Sequence, residues 1–125
     1  MRVLLTGDCM RAYSTLRWLL AQDPELSIVG EVIEAEDLLA QVQQTQPNLV
    51  LLNWEMPGLR VTDLRLLTLG AIRYPLKVIA CSEGEEARRE ALAAGVSAFV
   101  GKEEPLNHLV NVLRLVGGLS PCSVG

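Results

Sequence analysis

Five short apolar runs, each followed by a longer stretch of helical period, set the tightest limit on what this chain can fold into. The runs lie at 2–6, 27–32, 48–53, 76–81 and 97–100. They are almost continuously apolar rather than alternating, which is the pattern of strands covered on both faces. The intervening stretches read as helices at 10–22, 35–45, 62–72 and 85–94, with a fifth opened by Pro105 and running to 116. In the first, Ala12, Leu16, Leu19 and Leu20 share one stripe, and Asp23-Pro24 stops it. Leu38, Leu39 and Val42 face inward in the second, which Pro47 ends, and Pro75 closes the third. The fourth is charged outside and alanine-lined inside, with Gly95 placed for a left-handed C-cap. The fifth is the clearest: Leu106, Leu109, Val110, Leu113 and Val116 fall on one face. Five strand–helix units predict an α/β fold, a doubly wound parallel sheet with right-handed crossovers and helices on both faces.

Composition removes several alternatives. With 125 residues, half of them hydrophobic, and a net charge of only −4, the chain has enough apolar material for one core and is not disordered. Its apolar runs are strand-sized, far short of the roughly 20 residues of a membrane helix. Gly7-Asp8 interrupts the apolar start, so no targeting segment is expected. An acidic balance argues against direct nucleic-acid contact by this domain. Cys9, Cys81 and Cys122 are odd in number and lack metal-ligand spacing, which points to a reducing, cytoplasmic setting. Residues 1–116 read as one domain, and the Gly/Ser/Pro-rich stretch 117–125 as a linker stump or tail.

In an open α/β sheet the site lies beyond the carboxyl ends of the strands. Gly7, Asp8 and Cys9 follow the first strand, and Asn53, Trp54 and Glu55 end the third. Ser82 and Glu83 end the fourth, and the fifth runs through Phe99 to Lys102. Taken alone, Asn53 is a turn residue, Ser82 a helix N-cap and Lys102 a solvated charge.

Their combination resembles the receiver domain of bacterial two-component response regulators. The segments that carry the resemblance are 2–8 (RVLLTGD), 49–58 (LVLLNWEMPG), 78–82 (VIACS) and 94–102 (AGVSAFVGK), in order and at strand ends. It covers about residues 2–116 and implies a flavodoxin-like (βα)5 fold with strand order 2-1-3-4-5. In that family an aspartate ending the third strand accepts a phosphoryl group from a histidine kinase, and an acid pair after the first strand holds Mg²⁺. By position, Ser82 matches the hydroxyl residue and Lys102 the lysine that contact the phosphoryl oxygens, Phe99 the switch aromatic, and Asp8 the second acid of the pair.

Two positions depart from the pattern: Asn53 stands at the phosphoacceptor and Gly7 at the first acid. A carboxamide offers no anionic oxygen to attack a phosphohistidine. Mg²⁺ prefers hard anionic oxygens, and the acids drop from three to one. Only a weak metal contact remains, Asp8 with the Glu55 backbone, so no cofactor is expected, and Lys102 is expected to pair with Asp8. The resemblance with these departures implies a phosphorylation-independent module, a homodimer or a docking platform for an output domain or another protein. Glu86, Arg88, Arg89 and Glu90 on the fourth helix, with Leu109 and Leu113 on the fifth, are its expected interface. The tail 117–121 resembles the linker before a helix-turn-helix output domain in regulators of the nitrate-response type. Two alternatives stand beside this reading: a flavodoxin-type ligand-binding domain, and a receiver pocket switched by a ligand other than phosphoryl. An enzyme has the least support, because no nucleophile–base pair lies among the strand-end residues.

Overall fold

The computed structural model describes residues 1–69 and 76–120. Five strands and five helices alternate: β1 (Arg2–Thr6), α1 (Tyr13–Gln22), β2 (Ser27–Val32), α2 (Leu38–Thr45), β3 (Leu49–Asn53), α3 (Val61–Leu69), β4 (Lys77–Ser82), α4 (Glu85–Ala93), β5 (Ala98–Gly101) and α5 (Leu106–Val116). A 3₁₀ turn over Ala35–Asp37 leads into α2. All strand pairings are parallel, and the order is β2-β1-β3-β4-β5, as the resemblance implies.

The strands are apolar at nearly every position because both faces are covered. Val3, Leu5, Leu49, Leu51, Ile79, Cys81 and Val100 pack with Leu16, Leu20, Leu109 and Leu113 on the α1/α5 side. The alternate residues Leu4, Val50, Leu52, Val78 and Ala80 pack with Leu38, Val42, Leu64 and Ala91 on the opposite side. Strand β2 is an edge, and its register against β1 shifts between Val3 and Leu4. No helix among the described residues is long and apolar enough to cross a membrane.

Several local expectations are corrected. Helix α1 starts at Tyr13 rather than residue 10, because Asp8 takes a left-handed φ of 55° and a turn precedes the helix. Ala12 is therefore exposed, and Tyr13 joins Leu16 and Leu20 on the inner side. Helix α2 closes at Gln46, whose φ of 48° is left-handed without a glycine. Gly95, in contrast, adopts the expected positive φ of 96° after α4. Leu109 and Leu113, expected at an interface, are 0% exposed. Both belong to the stripe that α5 presents to the sheet, so neither has surface to offer a partner. Pro75, Ile72 and Cys122 lie outside the described residues.

Arg114 is 6% exposed yet charged. Its guanidinium donates to Asp23 Oδ2 at 2.6 Å and to Glu25 Oε1 at 2.7 Å, and its Nε to the Ser120 carbonyl at 2.6 Å. Leu119 donates its N–H to the Arg114 carbonyl at 2.7 Å and packs on the α1/α5 core. The chain leaving α5 is thereby fastened to the α1–β2 loop through ion pairs that satisfy the buried cation.

Candidate functional site

The parallel sheet brings the ends of β1, β3, β4 and β5 to one edge. Thr6 ties two of them together: its Oγ1 donates to the Leu51 carbonyl at 2.9 Å and accepts the Asn53 N–H at 2.6 Å. Asn53 is 7% exposed. Its Nδ2 donates to the Gly7 carbonyl at 3.1 Å, and its Oδ1 accepts the Glu55 N–H at 3.0 Å. Both ends of the carboxamide are thus spent on backbone groups, where they brace the loops after β1 and β3.

That brace turns Glu55 back over the sheet edge. Ser82, 1% exposed, donates its hydroxyl to Glu55 Oε1 at 2.7 Å, and Lys102 Nζ stands 3.6 Å from Glu55 Oε2. The Ser82 hydrogen bond holds the Glu55 carboxyl below the usual carboxylate range; the Lys102 charge adds to this and desolvation opposes it. The expected Lys102–Asp8 pair is replaced by Lys102–Glu55. Asp8 is exposed and in a left-handed conformation, and among the described residues it has no ion-pair partner. Ser82 is not an N-cap either: Gly84, at φ 92°, occupies that position for α4.

Asp8, Met10, Arg11, Glu55, Glu83 and Lys102 line an open cavity of about 390 Å³ over this cluster. Arg11 spans its mouth, pairing with Glu83 and Glu103 at 2.7 Å each, so the loops after β1, β4 and β5 are joined above the site. These pairs are exposed and individually weak. Phe99 is half-buried against the α2/α4 core, with the Arg88 guanidinium 6.0 Å from its ring centroid.

The residues present do not fit Mg²⁺. A Cβ built on Gly7 would lie 3.0 Å from Ile33 Cδ1, so an apolar methyl borders the place where a first acid would project. Asn53 Oδ1 is neutral and already accepts a hydrogen bond. Of the carboxylates on the cavity, Glu55 is engaged by Ser82 and Lys102 and Glu83 by Arg11, which leaves Asp8 as the one lining acid without an ion-pair partner among the described residues. Elsewhere, Glu34, Glu36 and Asp37 bring carboxylate oxygens within 4.8 Å of one another on the exposed turn before α2. There the hydrogen bond and charge of Glu34 push the Glu36 carboxyl up. Cys9 and Cys81 are both fully buried. A hydrogen bond to Cys9 and burial raise the Cys81 thiol far above its ordinary value, which suits a structural role.

Of the residues singled out from sequence, the fold brings Asn53, Ser82 and Lys102 to one cluster, with Gly7 at its edge and Asp8 beside it. Glu86, Arg88, Arg89 and Glu90 lie exposed on α4. The Glu55 side chain was not anticipated as a member. Its signal was the two-residue offset from Asn53, which a tight turn can reverse onto the sheet edge: Met56 donates its N–H to the Asn53 carbonyl at 3.0 Å.

Comparison with known proteins agrees with this fold. Residues 3–114 match the family described as response regulator receiver domain. Among curated proteins, a protein-glutamate methylesterase/protein-glutamine glutaminase from Pyrococcus abyssi is 34% identical over 105 residues. That match covers 81% of this chain and 28% of the relative. A protein of the same name from Symbiobacterium thermophilum is 37% identical over the same shares. The chain thus spans less than a third of these relatives' length. Among solved structures, the response regulator domain of Thermotoga maritima CheB superposes with a TM-score of 0.77 at 22% identity, covering 97% of this chain and 98% of that one. The receiver domain of the response regulator NarL from Mycobacterium tuberculosis gives 0.78 at 19% identity, covering 94% and 95%.

Proposed function

The chain belongs to the response regulator receiver domain family of two-component systems, and we propose that it works there without phosphorylation, as a protein-interaction module. The observation that carries this reading is the state of Asn53. It holds the position at the end of β3 where the family's acceptor stands, and its carboxamide is neutral, nearly buried and engaged at both ends by Gly7 and Glu55. Such a group has no free anionic oxygen to attack a phosphoryl donor. The misfit of the neighbouring residues to Mg²⁺ supports the same reading, since phosphoryl transfer to a carboxylate relies on that cation.

Membership of the receiver family displaces the flavodoxin-type alternative. The working surface in this proposal is α4 with β5 and α5, used for homodimerisation or for docking an output domain. Glu86, Arg88, Arg89 and Glu90 supply exposed charges of both signs there, suited to reciprocal ion pairs across a two-fold interface. The apolar part belongs to Leu92 and Leu115, which are 46% and 59% exposed, rather than to Leu109 and Leu113. We assign the output to another part of a longer protein. The stretch after α5 favours a DNA-binding output, and the names of the curated relatives favour a methylesterase output as the second reading.

Sedimentation of the purified chain, alone and with Mg²⁺ plus beryllofluoride, tests the proposal. The expected result is a dimer whose association constant is the same under both conditions. A shift in oligomeric state on adding the phosphoryl mimic would overturn it.

A further inference from the structure

Ser82 and Lys102 present a buried hydroxyl and a mostly buried ammonium to the same point at the edge of the sheet. The Lys102 side chain is only 12% exposed. A hydroxyl donor and an ammonium converging in this way form an oxyanion site, because both stabilise a negative oxygen and neither has another side-chain acceptor among the described residues. The point is already filled. Glu55 Oε1 accepts from Ser82 at 2.7 Å, and Oε2 lies 3.6 Å from Lys102 Nζ. One carboxylate thus spans both groups, with one oxygen toward each.

We infer that the Glu55 carboxylate is a built-in anion, occupying the site where Ser82 and Lys102 would otherwise hold a free tetrahedral oxyanion of the phosphate class. The inference rests on the phosphorylation-independent reading and names how that site is kept satisfied. Three features of the geometry support it. First, the occupant is tethered and local: the Asn53 carboxamide accepts the Glu55 N–H at 3.0 Å, so the neutral residue at the end of β3 aims the anion. Second, the occupant is replaceable without disturbing the core, because the Glu55 side chain is 57% exposed while its two partners are not. Third, space for a small anion lies directly above, in the cavity of about 390 Å³ that Glu55 and Lys102 both line. The other acids on that cavity are Asp8 and Glu83; Arg11 holds Glu83 at 2.7 Å, which leaves Asp8 as the unneutralised charge facing the site.

The physical consequence is a lock. Ser82 lies on β4 and Lys102 follows β5, and Lys102 donates its backbone N–H to the Ser82 carbonyl at 2.9 Å. Glu55 therefore draws the ends of β4 and β5 toward the β3–α3 loop in the absence of any added group. A free anion has to displace Glu55 before it binds, so its apparent affinity is lowered by the fraction of molecules in which Glu55 is away.

The test uses inorganic phosphate as probe, with the wild-type chain, Glu55→Ala, Glu55→Gln and the double variant Glu55→Ala/Lys102→Ala. Binding is read by calorimetry and by phosphate-dependent amide shifts at Ser82 and Gly101. If Glu55 holds the site nine-tenths of the time or more, Glu55→Ala binds phosphate at least about tenfold more tightly than wild type. Glu55→Gln, which keeps a hydrogen-bond acceptor but loses the charge, falls between them, and the double variant loses the gain. Equal binding by wild type and Glu55→Ala would overturn the inference, as would a gain that survives loss of Lys102. These outcomes leave covalent modification untouched. A phosphoryl adduct on the wild-type chain would instead sink the underlying reading, so the two failures are distinguishable.

Discussion

Restoring both missing acids, with Gly7→Asp and Asn53→Asp together, is expected to raise Mg²⁺ affinity by at least about a hundredfold over wild type. Loss of a partner that merely orients a ligand costs about 10–100-fold in metal affinity, and here two direct anionic ligands return. The backbone permits the change. Gly7 lies outside the left-handed region, and the nearest obstacle to a Cβ is Ile33 Cδ1 at 3.0 Å. Ile33 is 62% exposed, so its terminal methyl can move aside at little cost. Asn53→Asp alone is expected to gain about tenfold or less, since it leaves Asp8 without its neighbour and the Ile33 methyl in place. Titration of Mg²⁺ followed by Trp54 fluorescence checks this. Equal affinity in the single and double variants would show that Gly7 is not part of the defect.

The second large effect separates core from surface on α5. Leu109→Ala is expected to lower unfolding free energy by about 2–5 kcal/mol, because Leu109 is fully buried between the helix and the sheet and its removal leaves a cavity. The same substitution is expected to leave the monomer–dimer constant of the folded protein unchanged. Leu115→Ala, at a position 59% exposed, is expected to change stability by no more than about 0.5 kcal/mol. Urea denaturation and sedimentation together distinguish the two. A Leu109→Ala chain of normal stability that no longer dimerises would return Leu109 to the interface.

The contrast between these leucines shows what the sequence carried. The helical period puts Leu109 and Leu113 on the inner stripe of α5, and a residue on that stripe has no surface left for an interface. The strands were legible because parallel strands covered on both faces must be apolar at consecutive positions, and 2–6 and 27–32 match the observed bounds. The other strands shift by one residue, since the ladder rather than the side chains sets their ends. The start of α1 was not legible: it depends on Asp8 adopting a left-handed φ, which no side-chain pattern announces. Arg114 was hidden for a different reason. Its acidic partners stand 91 and 89 positions away, so only the folded chain brings them together.

At the site, strand ends and residue types were enough to gather Asn53, Ser82 and Lys102, but not to choose the partner of Lys102. Charge counting favoured Asp8, the nearest remaining acid after β1. Geometry favours Glu55, because the turn after Asn53 folds its carboxylate over Ser82 while Asp8 stays exposed. A carboxylate that gains a hydroxyl donor and a cation outcompetes one that gains neither.

Whether Asn53 takes a phosphoryl group is read from the intact mass after incubation with acetyl phosphate and Mg²⁺, with the Gly7→Asp/Asn53→Asp chain as the positive comparison. The wild-type chain is expected to keep its mass, and the double variant to gain one phosphoryl group. A stoichiometric phosphoryl adduct on the wild-type chain would contradict the phosphorylation-independent reading.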